Sequence, residues 1–496
     1  MKRKKKEVKL NNPKLNCFHK IIYAGTLLLA LNFYSYAYKI ELEIKDCPET
    51  AVYLGLHIGP DFEVLDTSFI KNGKATFNKN NKLHKGVYFI VVPPYSRFDI
   101  LIQNTDTFSI RTTYNDLLND LKITGEPEYQ LFADMQKEIS SINLLRSQLN
   151  IERDFYGKFQ PDTLIFINNE LKELDYKQFE IYSKYKRILD SNSFFYKILS
   201  ILEPFKPDAS IEELRYTNPE KHFEFYKKHY LDRIDFTEDF LIYTPEFIFH
   251  KLIEDYCFYF FDTRINNYQD VFYDIDYLIS KTKDSQKINR YVLSYLISRY
   301  DKAKDVRLER FLVYIGKKYF LANSPLWLDP QAKAMIDFKL SSIQYNLIGD
   351  KAKDLTFEKS DGSKISIYEL NSEYKILLFW EPDCDICNET VFVLLGQYQK
   401  IKENKAEILA VLTGENVEEW RDFVTEHDLP WVNAYDPKKN TGFQTYYGTF
   451  KTPRIYILNN ENIILTKDIK PEKIVEFLVN DKIKSERNPF IYIFGQ

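Results

Sequence analysis

Phe379-Trp380-Glu381-Pro382-Asp383-Cys384-Asp385-Ile386-Cys387 is the stretch on which the reading of this sequence turns. It completes the apolar run Tyr374-Lys-Ile-Leu-Leu-Phe-Trp380, which suits a central strand covered on both faces. Residues 388 to 401 follow with helical periodicity. Strand, Cys-x-x-Cys and helix in immediate succession place the first cysteine at a helix N-terminus. Unpaired backbone N–H groups and the positive end of the helix dipole favour a thiolate there. Cys384 is therefore the expected nucleophile toward a disulfide, and Cys387, one turn on, the thiol that resolves the mixed disulfide.

The charges around this pair are one-sided. Glu381, Asp383, Asp385 and Glu389 crowd the two thiols, and no Lys, Arg or His falls between residues 381 and 390. Negative neighbours disfavour thiolate and oppose the dipole. Asp383 and Asp385 are thus expected to tune the pair toward a low reduction potential, suited to a reductant or isomerase-like role and not to a disulfide-forming oxidase. A zinc half-site is the competing use of Cys-x-x-Cys, but no second pair follows and His427 stands alone, so no metal and no cofactor is expected.

Outward from the pair, residues 347–482 alternate β and α. Ala406 to Leu412 reads as a strand, Val417 to His427 as a helix and Trp431 to Tyr435 as a short strand. Arg454 to Leu458 and Ile463 to Thr466 pair across Asn459-Asn460-Glu461-Asn462, and Glu472 to Val479 closes the region as a helix. Here a resemblance becomes specific. The cysteine segment resembles the active-site segment of thioredoxins. Lys353 to Phe357, Asp361-Gly362 and Tyr368 to Leu370 are similar to the entry hairpin of the TlpA-like branch of exported oxidoreductases. Tyr447-Gly448 followed by Lys451-Thr452-Pro453 is similar to the family's later signature.

The resemblance implies an α/β thioredoxin fold, a cis Thr452–Pro453 bond lying against the cysteines, and a Thr452 backbone that pairs with extended substrate. It implies Trp380 beside the pair, at the substrate side of the site. The chain also departs from the family pattern. Phe392 stands where proline is usual, Leu378 where thioredoxins bury an acid, and Thr390 where TlpA-like proteins often place Glu. These departures remove the customary proton relays to Cys387. A thioredoxin fold that has lost its activity, serving in a non-enzymatic envelope binding protein, is therefore the alternative reading.

The rest of the chain is organised around export and placement. Lys2-Arg3-Lys4-Lys5-Lys6, the apolar run from Ile21 to Phe33, and Ser35-Tyr36-Ala37 together read as a secretory signal over residues 1–37, cleaved after Ala37. The run is short for a membrane span, and an uncleaved inner-membrane anchor facing the periplasm is the alternative. Once the signal is gone, Cys47 and Cys257 join the redox pair as the remaining cysteines, and the two read as inert thiols. Residues 38–125 alternate apolar and polar in short runs and read as a small antiparallel β-sandwich, with Lys71-Asn72-Gly73 as a hairpin turn. Residues 126–346 read as an all-α middle domain, and 483–496 as a tail. The β-rich and helical parts resemble poorly characterised modules found ahead of such thioredoxin domains.

A net charge of −4 over 496 residues gives no electrostatic case for nucleic acid. The expected partners are protein thiols or disulfides as substrates and an upstream thiol electron donor, in the periplasm, with the membrane involved only if the signal is retained.

Overall fold

The computed structural model describes residues 37–94, 96–103, 107–156, 161–203, 208–438 and 440–487. The segment read as an export signal lies outside the described residues, apart from Ala37. The chain forms two compact units. One comprises residues up to Asp235 together with Phe240–Leu252, and the other comprises Phe236–Asp239 and everything from Ile253 onward.

The first unit holds eight described strands: β1 (Tyr38–Lys45), β2 (Ala51–Ile58), β3 (Asp61–Phe69), β4 (Lys74–Lys79), β5 (Gly86–Val92), β6 (Ser96–Ile102), β7 (Thr107–Thr113) and β8 (Lys122–Thr124). They form two four-stranded sheets, ordered β4-β1-β7-β8 and β3-β2-β5-β6. Strand β1 alternates as its sequence does, with Tyr38, Ile40, Leu42 and Ile44 inward and charged residues outward. The expected hairpin is present. Asn72 and Gly73 have φ of 48° and 75°, and Lys71 and Lys74 exchange backbone hydrogen bonds of 2.9 and 3.0 Å.

The purely antiparallel expectation fails at one pair, because β1 and β7 run parallel. The chain crosses into the second sheet and back between them, so β7 re-enters beside β1 in the same direction. The helices that follow begin with α1 (Pro127–Tyr156), α2 (Pro161–Lys186), α3 (Phe194–Leu202), α4 (Ala209–Thr217) and α5 (Pro219–His229). Helix α5 carries His222 and His229. The first packs on Tyr226, with ring centroids 4.6 Å apart, and the second bonds Asp232 at 2.7 Å, so both are occupied within the fold.

Further helices are α6 (Phe249–Phe260), α7 (Tyr268–Lys281), α8 (Gln286–Asp301), α9 (Glu309–Ile315) and α10 (Pro330–Ile343). Cys257 on α6 is fully buried, and burial pushes its thiol far above the ordinary value, which leaves it inert. In the second unit, α9 and α10 lead into a seven-stranded mixed sheet. Its strands are β9 (Thr356–Lys359), β10 (Lys364–Ser366), β11 (Tyr374–Trp380), β12 (Ala406–Leu412), β13 (Val432–Tyr435), β14 (Arg454–Asn459) and β15 (Ile464–Lys467). The spatial order is β10-β9-β13-β12-β11-β14-β15.

Every residue of β11 is buried, as a strand at the middle of a covered sheet requires. Alternate residues feed two cores. Ile376, Leu378 and Trp380 join Val391 and Leu394 of the following helix, while Leu377 and Phe379 pack with Phe443 and Tyr456 on the other face. The remaining helices of this unit are α11 (Asp385–Glu403), α12 (Val417–Glu426), α13 (Phe443–Tyr447) and α14 (Ile474–Arg487). No helix among the described residues is long and apolar enough to cross a membrane.

Candidate redox site

The site forms where β11 ends. Its last residue, Trp380, is followed by a four-residue turn, and Cys384 then caps α11 with φ −114° and ψ 111°. The Cys384 Sγ accepts a hydrogen bond from the Cys387 backbone N–H at 3.3 Å, doing for the helix what a Ser or Asp cap does. Asn388 locks the turn from within the first helical turn, its Nδ2 donating to the Pro382 carbonyl at 2.8 Å. Both cysteines are free thiols, Cys384 half-buried and Cys387 with no exposed surface. Burial, chiefly, pushes the Cys387 thiol up to about 12, and its contact with Cys384 adds to this.

The sheet brings the second signature to the pair. β11 lies between β12, parallel to it, and β14, antiparallel, with Phe379 opposite Arg454. One step along that register carries Pro453 to the Trp380 end of β11. The Thr452–Pro453 peptide is cis. The Thr452 hydroxyl donates to Glu381 Oε1 at 2.9 Å, and the same hydroxyl acts on the Cys387 thiol in the direction that favours its thiolate. Cys384, Cys387, Thr452 and Pro453 are thus gathered from two separate stretches of chain. Asp383 and Asp385 are exposed at the mouth of the site.

Trp380 departs from its sequence reading as a substrate-side residue. It has no exposed surface, and its ring meets Phe423 edge-on with centroids 5.3 Å apart. An inward position on a strand covered on both faces makes it the floor of the site, with nothing to offer a substrate directly. Thr390 is buried and donates to the Ile386 carbonyl at 2.9 Å, and Leu378 is wholly core, so neither position supplies an ionisable group.

Sequence reasoning missed the residues that fix the loop ahead of Pro453. Gly448 takes φ +57°, and a Cβ there would lie 2.2 Å from the Ser342 carbonyl oxygen of α10. Asn346, fully buried just beyond α10, donates to the Tyr446 carbonyl at 3.1 Å and accepts from Lys467 Nζ at 2.7 Å. The Lys467 side chain has no exposure and is ion-paired with Glu309 of α9, and burial pulls its ammonium below the usual lysine range. These partners are 100 and more residues apart in the chain, and no periodicity or spacing announces them. Among the described residues, no group of three or more His, Cys, Asp or Glu side chains is gathered to hold a metal ion.

Comparison with known proteins agrees with this geometry. Residues 348–467 match the model of the AhpC/TSA family, and residues 38–132 match a domain of unknown function, DUF4369. The chain is 24% identical to the thiol-disulfide oxidoreductase ResA of Bacillus cereus over 144 residues, which is 29% of this chain and 76% of that protein. It is 26% identical to ResA of Bacillus thuringiensis over 131 residues, 26% of this chain and 74% of that protein. Among solved structures, a thioredoxin-like protein from Bacteroides caccae is similar at 28% identity and TM-score 0.42, covering 56% of this chain and 97% of that one. A domain of a possible thiol-disulfide isomerase from Cytophaga hutchinsonii is similar at 27% identity and TM-score 0.27, covering 28% and 97%.

Proposed function

We propose that this chain, whose C-terminal region is a thioredoxin-like domain of the AhpC/TSA type preceded by a DUF4369 domain, is a thiol-disulfide oxidoreductase. The observation that carries the reading is the half-exposed Cys384 at the N-cap of α11, with the N–H of a buried Cys387 aimed at its sulfur. A sulfur so placed accumulates negative charge at low cost.

The exchange runs in two displacements. Cys384, as thiolate, attacks one sulfur of a substrate disulfide. A Cys384–substrate S–S bond forms, and the other substrate sulfur leaves with the electron pair. Cys387 then loses its proton and attacks Cys384 Sγ, which closes the Cys384–Cys387 disulfide and expels the second substrate thiolate. Two electrons pass from the cysteine pair to the substrate, and an upstream dithiol returns them. Thr452 offers its backbone to the extended substrate beside Cys384. The acidic mouth at Asp383 and Asp385 disfavours the reduced form and sets the direction toward reduction or isomerisation of substrate disulfides. The basic-then-apolar N-terminal sequence supports an exported, periplasmic protein.

Insulin reduction, with thiol capture by the Cys387→Ala variant, tests the assignment. Turnover by the wild type and stable mixed disulfides on Cys384 of the variant are expected. A protein that folds, reduces nothing and captures nothing is a non-enzymatic binding protein.

A further inference from the structure

The two-step exchange leaves one chemical problem unsolved, and it rests on the oxidoreductase reading above. Cys387 is buried and holds its proton, so the resolving step needs a base, yet the positions that carry ionisable groups in similar proteins are Leu378 and Thr390 here. The charged groups around the site are few. Asp383, Asp385 and Glu389, from the turn and the start of α11, are exposed. From α12 and its end, His427 is packed on Phe392 and Phe423, with ring centroids 5.1 and 4.3 Å away. Lys451 is exposed beside Thr452, and Arg454 beyond Pro453 is paired with Asp468 at 3.1 Å. Glu415 lies in the loop between β12 and α12.

Glu381 differs from all of these. Its backbone reaches Cys387, its Oε1 accepts from the Thr452 hydroxyl at 2.9 Å, and its other oxygen sits against Gly414, where a Cβ would stand 3.2 Å away. The carboxylate is thus held in one place by a hydroxyl on one side and bare backbone on the other. That hydroxyl is itself in contact with the Cys387 thiol. A hydroxyl that donates to a carboxylate keeps its lone pairs for a second donor, here the thiol, and so can pass a proton in one direction.

We propose that Glu381 is the proton acceptor for Cys387, reached through the Thr452 hydroxyl. As the Cys387 sulfur bonds to Cys384 Sγ, its proton moves to Thr452 Oγ1 while the Thr452 proton moves to Glu381 Oε1. The Cys384–substrate S–S bond breaks, and the substrate sulfur leaves with the electron pair. The proton on Glu381 is then released to the departing thiolate or to water, which restores the carboxylate. Thr452 would thereby serve two ends, its backbone facing substrate and its hydroxyl facing the proton.

Single-turnover reaction of the reduced full-length protein with 5,5′-dithiobis(2-nitrobenzoic acid) separates the steps. Attack by Cys384 releases one coloured thiolate, and resolution by Cys387 releases a second. The readout is the ratio of second-phase to first-phase rate within each protein, from pH 6 to pH 9. Glu381→Gln and Thr452→Val are each expected to lower that ratio by about 10- to 100-fold at pH 7, with the deficit shrinking as hydroxide replaces the acceptor at higher pH. Thr452→Ser, which keeps the hydroxyl, is expected to retain the wild-type profile. A ratio unchanged in Glu381→Gln, or lowered by the same factor at every pH, overturns the relay. A wild type that releases no thiolate at all overturns the oxidoreductase reading itself.

Discussion

The Cys387 backbone N–H points at Cys384 Sγ over 3.3 Å, so the two thiols of the pair occupy unlike environments although only two residues separate them. One sulfur is half-exposed and receives a hydrogen bond, and the other is buried with its thiol pushed up to about 12. Reactivity toward alkylating agents follows the thiolate and its exposure. Reduced protein treated with iodoacetamide at pH 7 to 8 is expected to take up one adduct at the pair, on Cys384. Cys387 is expected to stay unmodified until pH approaches 12 or the protein unfolds. Peptide mass spectrometry reads both outcomes, and comparable labelling of both sulfurs at pH 8 would contradict the assigned roles.

The exposed carboxylates at the mouth carry a prediction about potential. Asp383→Asn with Asp385→Asn removes two negative charges near the thiols, which stabilises the reduced, partly ionised pair and raises the reduction potential. Exposed charges act through water, at about 0.2–1 kcal/mol each. With about 30 mV per 1.4 kcal/mol for a two-electron couple, the rise should be on the order of 10–40 mV. It should shrink as salt is added, because the charges are screened. Equilibration against glutathione buffers measures it, and a fall in potential would reverse the sign argued here.

Gly448 allows a third test. A methyl group there meets the Ser342 carbonyl oxygen, and the residue also sits at positive φ, where any L side chain is strained. Gly448→Ala is expected to cost on the order of 2–4 kcal/mol in urea unfolding. Because the loop ends at Thr452–Pro453, turnover of a peptide disulfide should fall as well. Gly396 of α11, where a Cβ meets nothing within 4 Å, is the control, and Gly396→Ala should be neutral or slightly stabilising.

What the sequence disclosed about the site was its local part. A fully apolar strand, a Cys-x-x-Cys and a helical period are read from consecutive residues, and β11, β12 and β14 begin where their first residues were expected. Thr452 and Pro453 were placed through family likeness, since nothing in 68 residues of intervening chain says that they return to Cys384. Glu381 was visible only as one of four acids. Its neighbours show that it differs from Asp383 and Asp385, being held by Thr452 while they face water. Trp380 shows the opposite failure. A motif suggested contact with substrate, but two-sided burial of its strand had already consigned the ring to the core. In the first unit, the sequence pattern showed strands without showing their partners, because alternation fixes which face is buried and not the direction of the neighbour.

The burial of Lys467 bears on how this protein can be taken apart. A fragment beginning at residue 347 contains every strand of the seven-stranded sheet but leaves behind Asn346 and Glu309, the acceptor and the counter-ion of an ammonium with no access to water. The redox domain is therefore not a severable cartridge. Its interior is completed by side chains that a fold boundary would assign to its neighbour, and an excised version would have to start ahead of α9 to keep its own inside intact.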